Sequence, residues 1–398
     1  MFSPQSIATI LTLAAAVALG PLSTDMYLPA LPRMTDDLNT SVDQMQLTLS
    51  VFFAGFAVAQ LLYGPLADRF GRKPIMLAGL AIFSFASIGC AMAETVEQLM
   101  VYRFIQALGA CGGPVLGRTM VRDIHGPEKA APVLALIGTI MALAPAIAPV
   151  FGGGLIIWFD WQAIFLFLAF FGFVLMAVYG LKVQESLKEE YKKPFNLTTV
   201  MTSYKRLLKH REYIGYTLSC SFVYSGLFCF LSASSFVLIN FFGVAEEHFG
   251  LYFALVVCGY VIGTQLVQRF SVYVGQRKML MQGACTAAVA GIAMAIPSLL
   301  EKDTLAWLIA MQVLFMVGVG IVMPLSMGGA LAPFSDIAGT ASSLLGFLQA
   351  VCAATVGIIV GHMYNDTPLV MTVAISIMGI LTLLSYRIFL HKKDQPQA

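Results

Sequence analysis

The chain has 398 residues, 59% of them hydrophobic and 11% charged, less than half the charged share of about 25% usual in soluble domains. With a mean hydropathy of +0.83, that composition excludes a water-soluble globular protein. The net charge of +2 says nothing about partners, and no stretch points to nucleic acid. Apolar runs of about 20 residues, long enough to cross a hydrocarbon layer of about 30 Å, recur along the chain. They predict an all-α membrane protein with spans near 6–31, 43–63, 75–93, 98–120, 132–156, 161–182, 213–240, 248–270, 279–299, 304–326, 339–362 and 367–390.

Span 1 opens on Ile7–Leu19, an apolar run ending in small residues, as a signal peptide does. No basic stretch precedes it and eleven spans follow, so it reads as a membrane helix. Toward its outer end lies Asp25-Met-Tyr-Leu-Pro29-Ala-Leu-Pro32. After span 2 comes Gly64-Pro-Leu-Ala-Asp68-Arg69-Phe-Gly71-Arg72-Lys73-Pro. Its glycines permit a tight turn and close helix approach. Asp68 has two open partners: the three neighbouring cations, or the positive N-terminal end of a helix such as the one starting at Gly339-Thr-Ala-Ser-Ser, where a carboxylate gains roughly 0.3–1 kcal/mol.

Span 4 carries Arg103-Phe-Ile-Gln106-Ala-Leu-Gly109. An Arg in an apolar span costs about 2.5–3.5 kcal/mol on insertion scales, so it faces a cavity or a partner unless it snorkels to the interface. At 1.5 Å per residue, Arg103 and Asp25 both lie roughly 8–9 Å below the outer surface. Matched depth and opposite sign make them candidates for a buried pair. Burial disfavours a charged carboxyl group and a guanidinium favours it, so Asp25 is placed to exchange a proton as its surroundings change. Arg103 stays charged and tunes its partner. Span 5 reads Ala144-Pro145-Ala-Ile-Ala148-Pro149-Val-Phe-Gly152-Gly153. Its prolines interrupt the hydrogen-bond ladder on one face, and its small residues let a neighbouring helix approach.

Hydropathy collapses after span 6. Residues 184–212 read as a cytoplasmic linker with a surface-lying amphipathic turn around Tyr204–His210. The linker divides the spans six and six, giving bundles at 1–183 and 213–390 and a tail at 391–398. The halves echo each other: Gly71-Arg-Lys after span 2 returns as Gly275-Gln-Arg-Lys after span 8, without the Asp. Two parallel six-helix repeats, with a substrate site at the midplane between them, are a transporter plan.

Charge placement sets the orientation. With the N-terminus in the cytoplasm, the inner side receives Arg69, Arg72 and Lys73; Arg118, Arg122 and Lys129; eight cations from Lys182 to Arg211; Arg269, Arg277 and Lys278; and Arg387, Lys392 and Lys393. Arg33 and Lys302 fall outside and Arg103 within a span. The opposite orientation inverts the positive-inside rule, so both termini are expected in the cytoplasm. The seven cysteines all fall in predicted spans and read as packing residues. Tyr27, Phe53 and Tyr63 in the first half, and Tyr216, Phe222, Tyr224 and Phe228 in the second, are candidate walls of an apolar cavity, with Gln106 as a polar member. Packing or lipid contact is the alternative for each aromatic. Arg118 is equally an inner anchor or a cavity residue, and His362 reads as interfacial.

The loop Gly64–Lys73 resembles the signature loop of the major facilitator superfamily, which implies a latch between two six-helix halves in the outward-facing state. The Asp25–Pro32 and Arg103–Gly109 strings resemble motifs of its twelve-helix drug:proton antiporters, in which the Arg is tied to proton coupling. The span 5 string resembles their motif Gly-xxx-Gly-Pro-xx-Gly-Gly, with Ala144 and Ala148 replacing the leading glycines. That motif implies an exporter rather than a symporter. These strings, with Phe230-Leu-Ser-Ala and Gly339-Thr-Ala-Ser-Ser-Leu, are similar to the Bcr/CflA branch, bacterial inner-membrane exporters associated with resistance to bicyclomycin, chloramphenicol-type drugs and sulfonamides. The resemblance implies a monomer that exchanges protons for small drug molecules, with no cofactor, metal or nucleic-acid partner. An uptake symporter is the nearest rival. A membrane-embedded sensor or enzyme is a further one, but the chain offers no metal cluster, Walker A string or nucleophile–base motif for it.

Overall fold

Proline and glycine decide where these apolar runs begin and end as helices. The computed structural model describes Ser3, residues 5–187 and residues 197–390. The linker residues 188–196 and the tail 391–398 therefore lie outside the described residues. Helix α1 (Ile7–Asp25) starts at Ser6, whose side chain accepts the Thr9 N–H. It stops at Asp25, short of the predicted residue 31. Pro29 has no N–H for the Asp25 carbonyl, and its ring crowds that oxygen, so the ladder ends there. A 3₁₀ turn (Leu28–Ala30) and α2 (Leu31–Asp37) carry the chain onward.

Helix α3 (Val42–Phe70) ends at Gly71, whose φ of +102° suits glycine, and α4 (Arg72–Ala91) begins directly after it. The same device recurs in the second half. There α10 (Glu246–Val274) ends at Gly275 with φ +85°, and α11 (Gln276–Leu299) follows. The sequence echo is thus a backbone echo. Between them come α5 (Val96–Ala110), α6 (Gly112–Trp158), α7 (Gln162–Lys182), α8 (Leu197–Lys209) and α9 (Arg211–Ser235). Helix α6 is continuous where a loop over 121–131 was predicted. Helices α12 (Leu305–Leu331), α13 (Ala338–His362) and α14 (Leu369–Ser385) complete the chain.

Among the described residues, eleven helical stretches are long and apolar enough to cross a membrane, and Leu143–Trp158 is a shorter apolar one. None of the described residues is in a strand. Side chains such as Phe85 and Phe170 are exposed, which suits a face turned to lipid.

Packing groups the chain into two compact units. The first holds the described residues of Met1–Asn196, Leu231–Ala254 and Gly357–Asp366. Within it α1 packs on α6, α4 on α5 and α7, and α3 on α5. Segments of α9, α10 and α13 join this unit: Ser232 Oγ donates to Gln46 Oε1 (3.4 Å), and the Phe236 and Tyr364 rings lie 5.9 Å apart. The second unit holds the described residues of Leu197–Phe230, Leu255–Val356 and Thr367–Ala398. In it α11 packs on α12 and α14. Tyr213 Oη donates to the Ala341 carbonyl (2.7 Å), and Arg277 pairs with Glu212 (2.5 Å).

Candidate coupling site and cytoplasmic latch

Arg103, on α5, is fully buried. Its Nη1 donates to the Ser23 carbonyl (2.9 Å) and to Gln106 Oε1 (2.6 Å). Gln106 in turn donates from Nε2 to Ser87 Oγ (2.8 Å). The guanidinium lies 4.4 Å from the ring centres of both Tyr27 and Phe52 and 5.9 Å from that of Phe165. A desolvated cation over an aromatic face gains about 2 kcal/mol, so the rings offset part of what lost hydration costs. Nε and Nη2 have no protein acceptor. They remain available to an acceptor that the site brings close.

Asp25 closes α1 and is buried. Its Oδ1 accepts the Thr24 hydroxyl at 2.8 Å. That hydroxyl also has the Gly20 and Pro21 carbonyls within 3.3 Å and 3.1 Å, so one proton has three possible acceptors. Asp25 and Arg103 share a neighbourhood but are not in ion-pair contact. Arg103 instead holds the carbonyl of Ser23, two residues before Asp25. The depth match read from the sequence thus corresponds to a shared buried region, in which the guanidinium grips the backbone of α1.

Tyr27 follows the α1 break, and its hydroxyl meets Thr48 Oγ1 at 3.3 Å. Of the predicted cavity residues, Tyr27 and Gln106 both touch Arg103. Phe53 is one step removed, its ring 6.0 Å from that of Phe52. Tyr216 and Tyr224 lie on α9 in the second unit, Tyr216 against Gly329. The span 5 string reaches the same region from α6. Ala144 and Ala148 are buried, Pro145 and Pro149 lie inside the helix, and Gly152 faces the α1 break. A Cβ on Gly152 would fall 1.8 Å from the Met26 carbonyl oxygen, whereas one on Gly153 would fall 3.3 Å from the Glu246 carbonyl. The missing side chain at 152 lets α6 lie against the residue next to Asp25.

The Gly64–Lys73 turn forms a second cluster. Gly64 lies within α3, and Arg69 is exposed with its guanidinium over Phe70 (5.0 Å). Arg72 pairs through Nη1 with Asp68 (2.5 Å) and through Nε with Asp123 (3.1 Å). The Glu185 carboxylate accepts the backbone N–H groups of Arg72 and Lys73, both at 3.0 Å. It therefore caps the unpaired donors and positive end of α4. Lys73 Nζ donates to the Gly180 and Val183 carbonyls (2.8 and 2.7 Å), at the negative end of α7. Sequence reading missed Asp123 and Glu185. Their signal was an acid just past the end of a predicted span, on the side of the Arg-Lys turn. It also missed the Arg33–Asp160 ion pair and the Trp161 Nε1 bond to Asp37 (3.0 Å).

Comparison with known proteins places this geometry in a family. The model of the Major Facilitator Superfamily matches residues 13–357. A bicyclomycin resistance protein homolog of Haemophilus influenzae is 32% identical over 95% of this chain and 94% of its own. Multidrug resistance protein D of Escherichia coli is 26% identical over 96% and 95%, and a chloramphenicol resistance protein of Pseudomonas aeruginosa is 28% identical over 89% and 83%. The Bcr/CflA-like resemblance read from the motifs agrees with these relatives. Among solved structures, a bacterial homolog of the human lysosomal transporter Spinster, inward-facing and occupied, superposes with a TM-score of 0.76 at 17% identity, covering 98% of both chains. The inward-open xylose transporter of Escherichia coli gives 0.75 at 14% identity, covering 97% of both. The Gly64–Lys73 turn, the buried Arg of α5 and the glycine-faced α6 are thus carried on a known transporter fold, and the chain belongs to the Major Facilitator Superfamily, as a multi-pass membrane transporter and not an enzyme.

Proposed function

We propose that the protein exports small, mostly hydrophobic drugs from the bacterial cytoplasm across the inner membrane in exchange for protons, by alternating access. In this reading it works as a monomer with both termini in the cytoplasm. The observation that carries the reading is Asp25, a buried carboxyl group at the break of α1, with Arg103 holding the adjoining backbone. Its relatives' names as bicyclomycin, chloramphenicol and multidrug resistance proteins supply the substrate class.

The chemistry follows from the side chains. An ionised Asp25 only accepts hydrogen bonds, whereas a protonated one can also donate. The Thr24 hydroxyl bonds the carboxylate in one state and returns to the Gly20 or Pro21 carbonyl in the other. Protonation thereby alters the bonds at the end of α1. Arg103 cannot lose its proton. Its part is to hold Ser23 and keep positive charge near Asp25. A periplasmic proton on Asp25 accompanies drug release and return, and each charge moving inward at 100 mV supplies about 2.3 kcal/mol.

Inverted membrane vesicles give the direct test. An inward-acid gradient should drive accumulation of chloramphenicol or bicyclomycin into vesicles that contain the protein, and collapsing the gradient should release it. Transport of the drug in the same direction as the protons would select the symporter instead.

A further inference from the structure

Helix α8 (Leu197–Lys209) is no membrane span, yet it exposes apolar side chains. Met201 is 48% and Leu208 46% exposed. Seven residues apart, they share one helical face. Lys205 and Lys209, both exposed, stand one turn apart along the border of that face. The helix is docked by another side: Leu207 is fully buried, and the Arg206 guanidinium lies 5.5 Å from the Phe334 ring centre.

Its position is fixed at the inner ends of spans. Only His210 separates α8 from α9, and the His210 ring meets Phe334 edge-on at 5.0 Å. Arg211 Nη2 then donates to the Ile388 carbonyl (2.5 Å) at the inner end of the last span. On the positive-inside reading this is the side carrying most of the chain's cations, where the apolar strip of α8 is expected to meet the boundary of acyl chains and headgroups. Apolar side chains bordered by lysines at that depth suit a helix lying in the interface, with the ammonium groups reaching out to phosphates.

We propose that α8 is an interfacial docking surface for anionic phospholipid of the inner leaflet, with Met201 and Leu208 among the acyl chains and Lys205 and Lys209 on headgroup phosphates. Neither lysine has an ion-pair partner among the described residues, so both charges are open to a lipid. A lysine near an anionic surface contributes about fivefold in affinity, hence roughly thirtyfold for the two. The inference goes beyond transport and does not depend on the substrate or on proton coupling.

The test uses the full-length protein equilibrated with equal amounts of phosphatidylglycerol and phosphatidylethanolamine, with retained lipid counted by native mass spectrometry. The wild type should prefer phosphatidylglycerol. Lys205→Gln/Lys209→Gln should lower that preference by up to about thirtyfold, whereas Lys205→Arg/Lys209→Arg should keep it. Lys182→Gln, which removes an exposed cation at the end of α7, should leave it unchanged. Melting in phosphatidylethanolamine alone checks that each variant is folded. If the double Gln variant keeps the wild-type preference, or if Lys182→Gln lowers it as far, the lipid is not held by α8 and the proposal is overturned. Should the double Gln variant not fold, the single variants Lys205→Gln and Lys209→Gln must each show a loss of about fivefold.

Discussion

Replacing Gly152 with alanine tests whether close approach at the α1 break matters to transport. The new Cβ would lie 1.8 Å from the Met26 carbonyl oxygen, 2.8 Å from its carbon and 3.1 Å from its Cα. A carbon and a carbonyl oxygen not bonded to each other settle at about 3.3 Å or more, so α6 and the α1 break must part by roughly 1.5 Å. The opposing atoms are backbone, so no side chain can swing aside. Overpacking of this kind costs about 1–3 kcal/mol, and it displaces the segment that carries Asp25. Gly154 provides the internal control, since a Cβ there meets nothing within 4 Å. Gly154→Ala should be neutral or stabilise the helix by about 0.5–1 kcal/mol. The assay is drug uptake by proteoliposomes alongside melting in detergent. Gly152→Ala should melt lower than Gly154→Ala and transport at least about tenfold more slowly, since a 1 Å misplacement can cost a chemical step about 10²-fold. Wild-type melting and transport in Gly152→Ala would show that α6 and the α1 break do not meet as described.

Other substitutions probe the remaining contacts. Arg103→Lys keeps the charge but loses the flat group between Tyr27 and Phe52; coupling should be lost although the charge remains, and a pH-jump uptake assay reads this. Gln106→Leu leaves a buried guanidinium N–H without its side-chain acceptor, so melting should drop by the equivalent of about 1–3 kcal/mol; an unchanged melting point would count against the network. Glu185→Gln removes the charge capping α4 and should cost about 0.3–1 kcal/mol, most visibly at low ionic strength. Because Arg72 is largely buried where it meets Asp123, a double-mutant cycle with Arg72→Gln and Asp123→Asn should give a coupling of at least about 0.5 kcal/mol; additive effects would remove Asp123 from the ion-pair cluster.

Much of this protein was legible because a membrane limits what a chain can do. Apolar length located the spans, and the echo of Gly71 in Gly275 marked turns that the backbone builds alike. Asp25 and Arg103 stood out because charge is costly in hydrocarbon. Their mutual geometry was not legible. The length of span 1 suggested a helix to residue 31, whereas α1 ends at Asp25 and Arg103 bonds the Ser23 carbonyl near that end. Asp123 and Glu185 hid among the many charges between spans, where composition does not say which acid meets which base. The packing of residues 231–254 with the first unit is equally a matter of tertiary contact. Apolar pattern specifies which face of a helix is buried, but not against which neighbour.

The central claim is that Asp25 carries the coupled proton, and Asp25→Asn in proteoliposomes tests it most directly. Asparagine keeps the size and the acceptor oxygen for Thr24 but takes up no proton. The variant should still exchange labelled chloramphenicol for unlabelled drug at equal concentration, at a rate independent of pH, and should fail to accumulate it under a proton gradient. Gradient-driven accumulation by Asp25→Asn with the pH dependence of the wild type would contradict the account.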